Sequence, residues 1–253
     1  MLKTRVIPCL LLQNAGLVKT IQFKNPTYLG DPINTVKIFN EKEVDELLFL
    51  DISATEEKKR PNFGLIEQIA SECFMPLGYG GGIRNFEDAK LMFSLGVEKI
   101  VLNTFAHEDP TIIRKLSETF GSQSVVVSMD VKKSLLGKHE VFTARGKKNT
   151  HKQPAEWAKA VKSQGAGEIF VNSIDRDGTY KGYDLPLIKS VAASVNIPVV
   201  ACGGAGSLAH FGEAVKEAGA AAVAAGSFFV FHGPHRAVLI NFPTQKDLQQ
   251  TLG

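Results

Sequence analysis

Ser124-Val125-Val126-Val127-Ser128-Met129-Asp130-Val131-Lys132 reads as a buried strand that delivers one carboxylate, Asp130, near its C-terminal end. Its apolar run is unbroken rather than alternating, which is what a strand covered on both faces requires. The same kind of segment recurs along the chain. Val6 to Leu12, Glu46 to Ser53, Pro76 to Ile83, Glu98 to Thr104, Glu168 to Ile174, Ile197 to Cys202 and Ala221 to Gly226 supply the other seven strands. Helix-like spacing separates them, over Pro32 to Lys42, Asn62 to Cys73, Asn85 to Leu95, Pro110 to Phe120, Pro154 to Gln164, Leu185 to Val195 and Leu208 to Ala218. Asn85 has the chemistry of an N-cap. Eight strands alternating with helices in 253 residues predict a single (β/α)8 TIM barrel, one domain over residues 1–253. An open doubly wound sheet is the alternative, but it carries one dominant glycine-rich turn, and this chain has two.

The chain repeats itself. Gly80-Gly81-Gly82 is echoed by Gly203-Gly204, Leu48 to Ile52 by Phe170 to Ile174, and Ile7 to Leu11 by Val126 to Asp130. The spacing is roughly 120 residues each time, which predicts two similar half barrels. In that register Leu11 is the counterpart of Asp130. Two polar stretches, Gln13 to Asp31 and Lys133 to Lys152, interrupt the alternation. The first reads as a long functional loop and the second as a loop or hairpin excursion.

Composition narrows the function. The charge balance of 29 basic against 26 acidic residues, +3, is too even for a nucleic-acid surface. Lys58-Lys59-Arg60 reads as a solvated loop. The three cysteines Cys9, Cys73 and Cys202 form no CxxC pair, so no disulfide framework or zinc site is expected and a reducing cytoplasm is the natural compartment. Met1 to Leu12 resembles a first strand rather than a signal peptide, since Pro8 interrupts a short apolar run. No stretch approaches the ~20 apolar residues of a membrane span. His232 and His235 flank Gly233-Pro234, a poor frame for metal ligands, and no metal is expected.

Active sites of barrels lie where strands end. Asp51, Asn103, Thr104, Asp130, Ser173, Asp177 and Cys202 fall there. An Asp at such a place can also simply cap the next loop. The two glycine-rich turns can offer backbone N–H groups to phosphate, one cradle per half, which predicts an elongated ligand with phosphate at both ends. Arg5, Glu46, Lys99 and Glu168 lie at the starts of strands one, two, four and six. They are either ordinary solvated charge or a ring of two cations and two anions at the barrel bottom.

Together these residues resemble the cyclase subunit family of imidazole glycerol phosphate synthase. The likeness runs from Arg5-Val6-Ile7-Pro8-Cys9-Leu10 through Phe49-Leu50-Asp51-Ile52, Gly80-Gly81-Gly82-Ile83, Phe120-Gly121-Ser122-Gln123 and Gly146-Lys147-Lys148-Asn149-Thr150 to Ser173-Ile174-Asp175-Arg176-Asp177-Gly178. The resemblance implies a half-enzyme without cofactor, served by a separate glutaminase at the barrel bottom. It implies an ammonia gate of Arg5, Glu46, Lys99 and Glu168, a mobile-loop lysine at Lys19, and catalysis by Asp130. It also implies substrate and phosphate contacts at Asp51, Gly82, Asn103, Thr104, Asp177, Gly178, Gly204 and Ala225, with Gly226 where a serine is usual.

One position departs from the family. Its second catalytic aspartate, at the end of strand one, is Leu11 here, and leucine moves no proton. Cys9-Leu10-Leu11-Leu12, Ile38 to Glu46 and the tail Phe229 to Arg236 resemble a divergent branch associated with acetamidino-sugar formation in surface polysaccharides. The expectation is therefore a barrel that passes ammonia from a glutaminase to a sugar amidotransferase. The alternative is a histidine-pathway cyclase, which joins ammonia to a bisphosphorylated ribulosyl substrate and releases imidazole glycerol phosphate and aminoimidazole carboxamide ribotide.

Overall fold

The computed structural model describes residues 4–134 and 137–253. Met1 to Lys3, at the head of the predicted first segment, and Leu135-Leu136, within the second polar stretch, lie outside the described residues. Eight parallel strands form the barrel: β1 Arg5–Gln13, β4 Leu47–Asp51, β5 Leu77–Gly80, β6 Lys99–Leu102, β7 Val125–Lys133, β10 Glu168–Ser173, β11 Val199–Cys202 and β12 Ala222–Ala225. They neighbour one another in chain order, and β10 pairs with β7 to close the ring. That closure excludes the open doubly wound sheet.

The strands are apolar because each is packed on both faces. Side chains pointing inward, Ile7, Leu48, Val126, Phe170, Val200, Ala222 and Ala224 among them, fill the lumen. Those pointing outward meet the helices in a separate, larger core that includes Val6, Leu10, Phe49, Val127 and Ile169. The surrounding helices are α1 Pro32–Glu41, α2 Phe63–Glu72, α3 Phe86–Ser94, the short α4 Thr104–Glu108, α5 Thr111–Phe120, α6 Pro154–Ser163, α7 Leu185–Ala192, α8 Leu208–Lys216, the short α9 Ser227–Val230 and α10 Gln245–Leu252. The predicted cap is in place, with Asn85 Oδ1 accepting from Asp88 N at 2.7 Å. Among the described residues no helix is long and apolar enough to cross a membrane.

Several boundaries move. Strand β5 stops at Gly80 instead of continuing to Ile83, because Gly81 (φ 112°) and Gly82 (φ 73°) leave the extended region. Strand β6 stops at Leu102, and Thr104 already starts α4.

The largest correction concerns the first polar stretch. Gln13 to Asp31 is not a loop. It is a two-stranded ribbon, β2 Gly16–Ile21 and β3 Lys24–Gly30, continuing antiparallel from β1. Asn14-Ala15 and Gln22-Phe23 make its two-residue turns, all four with positive φ, as type I′ hairpin turns demand. The second stretch is also a hairpin. Strand β7 runs beyond the barrel and pairs antiparallel with β8 His139–Thr143, which pairs with β9 Lys148–Asn149. Each half barrel thus extends its first strand into a ribbon over the mouth.

Candidate functional site

Sequence and sheet geometry bring one set of strand-end residues to the mouth. Leu11, Asp51, Gly82, Asn103, Thr104 and Asp130 line a single pocket. Asp130 is held by its neighbour strand, since Asn103 Nδ2 donates to its Oδ2 at 3.0 Å. On the other side Asn172 is its register partner on β10 and also lines the pocket. Burial pushes the Asp130 carboxyl up to about 7, against the pull of the Asn103 amide, with the charge of Asp177 adding to the rise. A carboxyl in that range can both take and return a proton at neutral pH. Asn103 and Asn172 each leave a buried amide oxygen with no partner in the protein. Buried acceptors are normally satisfied, so this mouth is left ready for a hydrogen-bond donor.

Leu11 faces the same pocket with Leu50, Ile52, Val101 and Phe23. The strand opposite Asp130 therefore offers an apolar side chain, Leu11, with Leu50 on the strand beside it. Asp51 lines the pocket, but its Oδ1 accepts from Ser53 N and Oγ (both 2.8 Å) and Ala54 N (3.0 Å). It organises the loop after β4, the capping role that any strand-end Asp can take.

The two glycine turns differ. The first, at Gly81-Gly82, opens into the pocket beside Thr104. The second is covered. Lys19, buried on β2, reaches down to donate to Asp177 Oδ1 and to Thr20 O, each at 2.8 Å. A Cβ at Gly226 would stand 2.9 Å from Lys19 Cε, and one at Gly178 would stand 2.8 Å from Thr20 O. The serine expected at 226 would therefore crowd Lys19. Gly204 packs on the carbonyl of Gly182, and Ala225 is buried at the end of β12. The hairpin tip is fastened across this cover, with Gln22 N donating to Asp177 O at 3.0 Å and Gln22 Nε2 to Asp175 O at 2.8 Å.

At the other end Arg5, Glu46, Lys99 and Glu168 do form a ring. Arg5 donates to both Glu46 and Glu168. Lys99 Nζ donates to Glu46 at 2.7 Å and to Glu168 at 2.9 Å. Both carboxylates are 5% exposed. Burial opposes the charge of Arg5, yet the paired Glu168 and Glu46 outweigh it and raise its pKa. The alternative of ordinary solvated charge does not hold for these four.

Cys202 is buried in the lumen cluster beside Cys9. Contact with Cys9 and burial push its thiol well up, so no thiolate is available there. Ser173 is buried at the end of β10 and does not border the pocket. Sequence reasoning missed several residues that do, Asn172, Phe23 and Arg145 among them. Asn172 was within reach, because it is the strand-six residue level with Asp130. Phe23 and Arg145 arrive on ribbon turns whose path the sequence does not show.

Residues 5–234 match the family described as Histidine biosynthesis protein. A Pseudomonas aeruginosa protein provisionally named imidazole glycerol phosphate synthase subunit hisF2 is 55% identical over 96% of this chain and 97% of its own. Relatives from Leptospira borgpetersenii (52% identical, 98% of each chain) and Vibrio vulnificus (48%, 100% of this chain and 97% of the relative) carry the same kind of provisional name, subunits HisF and hisF3. These findings overturn the expected sugar-modifying role. The names of these relatives all refer to the synthase, and none refers to acetamidino sugars, surface polysaccharide or a sugar amidotransferase. Fold, match and relatives agree that the chain belongs to the Histidine biosynthesis protein family.

Proposed function

We propose that the chain is the cyclase-type subunit of an imidazole glycerol phosphate synthase, joining ammonia to a bisphosphorylated ribulosyl substrate. The observation that carries this reading is Asp130, poised near 7 in the mouth between two amides whose oxygens lack partners. Ammonia is a compact donor, and Asp130, Asn103 and Asn172 line the pocket where it would leave the lumen. Asp130 takes a proton as the nitrogen adds and returns one as the ring closes, so one carboxyl acts first as base and then as acid. Leu11 contributes surface and no proton.

The substrate's phosphates go to the two glycine turns. Gly82, Asn103 and Thr104 serve the first. Lys19, Asp177, Gly178, Gly204, Ala225 and Gly226 serve the second, where the phosphate competes with Asp177 for the Lys19 ammonium and lifts the ribbon. Asp51 shapes the wall between them. A glutaminase partner docks at the bottom, over the ring of Arg5, Glu46, Lys99 and Glu168. The apolar lumen above that ring favours neutral ammonia over ammonium, because an unpaired charge is costly there. The three free cysteines suit a reducing cytoplasm, and residues 1–253 act as one barrel domain.

The test is turnover of the bisphosphorylated substrate by purified chain with excess ammonium. We expect both products, and formation no faster than with Asp130→Asn would overturn the reading. With the glutaminase present, Lys99→Ala should lower glutamine-dependent turnover at least about tenfold while ammonium-dependent turnover stays within about threefold. Equal loss with both nitrogen sources would refute the gate.

A further inference from the structure

The first glycine turn has a cation beside it that no role above accounts for. Arg145 lines the mouth pocket together with Gly81, Gly82, Asn103 and Thr104. It is carried there by the turn between β8 and β9. Ala144 and Arg145 both take positive φ, 50° and 57°, and the turn is fixed to the pocket rim because Ala144 N donates to Thr104 Oγ1 at 3.1 Å. Two successive non-glycine residues in the left-handed region are a strained choice. Here the strain directs a guanidinium toward the pocket.

Arg145 is not committed to a deep structural pair. Its Nη1 donates to Glu56 at 3.2 Å and its Nη2 to Phe23 O at 3.3 Å, both near the distance limit of a real bond. Glu56 has a second and closer cation, Lys147 Nζ at 2.7 Å. If Arg145 turned away, Glu56 would keep a partner. The guanidinium is therefore parked on a carboxylate that can release it.

The same arrangement exists in the other half. Lys19, on the ribbon that extends β1, reaches across to the second half beside Gly226 and parks on Asp177. Arg145, on the ribbon that extends β7, reaches the first turn and parks on Glu56. Each half sends one cation across to the other's side of the mouth.

We propose that Arg145 is the specificity-determining cation of the first cradle, leaving Glu56 to clamp the phosphate monoester end of the substrate with two parallel N–H donors. This rests on the phosphate reading above. It adds a residue and a resting partner, and predicts that Glu56 restrains binding.

The probe is inorganic phosphate, titrated while the amide resonances of Gly82 and Thr104 report the first cradle alone. Wild type should bind in the millimolar range. Arg145→Ala should weaken binding at those two amides about tenfold or more, from the usual strength of a charge-assisted hydrogen bond, and Arg145→Lys should recover part of it. Glu56→Gln should tighten binding several-fold, a gain that a merely structural role for Arg145 would not produce. Equal binding by wild type and Arg145→Ala, weaker binding by Glu56→Gln, or no phosphate effect on wild type would each overturn the inference. Turnover separates it from the reaction proposed above. Absent turnover with the expected phosphate pattern leaves Arg145 standing and removes the cyclase. Normal turnover with an unchanged KM in Arg145→Ala removes Arg145 and leaves the cyclase.

Discussion

The first half barrel, β1 to β6, and the second, β7 to β12, share a plan and differ at the mouth. In both, the first strand overshoots the barrel into an antiparallel ribbon, with Leu11 opposite Val18 in one and Asp130 opposite Phe142 in the other. In both, a glycine turn follows the third strand. Yet the first half presents an apolar side chain and an open turn, while the second presents a perturbed carboxyl and a turn packed against Gly182 and Arg176. The shared parts are backbone and core, which a repeated hydrophobic pattern suffices to specify. The differing parts are single side chains at strand ends, where one substitution changes the chemistry and leaves packing untouched. On the proposed reading, proton transfer belongs to one half and access to the other.

The sharpest way to break this contrast is to exchange the two counterparts for inert residues. Asp130→Asn should lower ammonium-dependent turnover by ~10²–10⁴, the usual contribution of a positioned acid/base. Leu11→Ala should change it by no more than about threefold, since Leu11 offers only surface. Comparable losses in the two variants, read as kcat/KM, would mean that the halves share the chemistry after all.

Asp130 also couples the second half to pH. Its carboxyl sits near 7 in the folded chain, against an ordinary value of 3.8. Well below pH 4 both folded and unfolded chains hold the proton. Between about 4 and 7 the unfolded chain releases it and the folded chain does not, so stability falls as pH rises through that window. The penalty is complete above the folded value, up to about 4 kcal/mol. Asp130→Asn removes it. The variant's melting temperature should exceed wild type's at pH 8 by clearly more than at pH 4. A gap independent of pH would show that burial does not govern this carboxyl.

These contrasts mark where sequence reasoning succeeds. Strands such as Val125–Lys133 are legible because burial on both faces forces continuous apolar runs. Strand starts all point to one end of a barrel, which places Arg5, Glu46, Lys99 and Glu168 together, but it leaves solvated charge open, and only the family resemblance points to a ring. The ribbon β3 is not legible, since most of its residues are exposed and no apolar period marks it. Lys19 in a buried position is equally hidden, because its burial depends on an Asp177 158 residues away. Arg145 depends likewise on Glu56 and on backbone angles that its sequence neighbours do not encode. The sugar-modifying role expected from Leu11 and from Cys9 to Leu12, Ile38 to Glu46 and Phe229 to Arg236 fails, because relatives matching nearly the whole chain carry synthase names.

The glycine turns offer a smaller test of the same contrast. At Gly204, φ is 115° and a Cβ would lie 2.1 Å from the Gly182 carbonyl. At Gly82, φ is 73°, close to the left-handed well, and the closest atoms are Ala54 Cβ at 2.8 Å and Lys59 O at 3.0 Å. Gly204→Ala must displace backbone and should cost about 3 kcal/mol or more. Gly82→Ala meets the buried Ala54 methyl and the Lys59 carbonyl at longer range, and should cost about 1–2 kcal/mol. Urea unfolding of both variants measures the difference. Equal costs would show that the packed turn is as yielding as the open one.

The smallest effect comes from making the halves alike. Leu11→Asp puts a second carboxyl in the pocket that Asp130 lines. The cost to folding is modest, because Leu11 is only partly buried and faces a pocket rather than the packed core. Two like charges across such a mouth repel by about 1 kcal/mol at an effective dielectric near 20, so each holds its proton slightly longer. The acidic limb of the pH–rate profile should therefore move upward by less than about one pH unit. If the second carboxyl also shares the proton transfers, turnover rises at the same time. A rise with no shift would place the new carboxyl too far from Asp130 to interact. A shift with no rise would show that a single carboxyl already meets the demand for protons, and that Leu11 in the first half forfeits nothing.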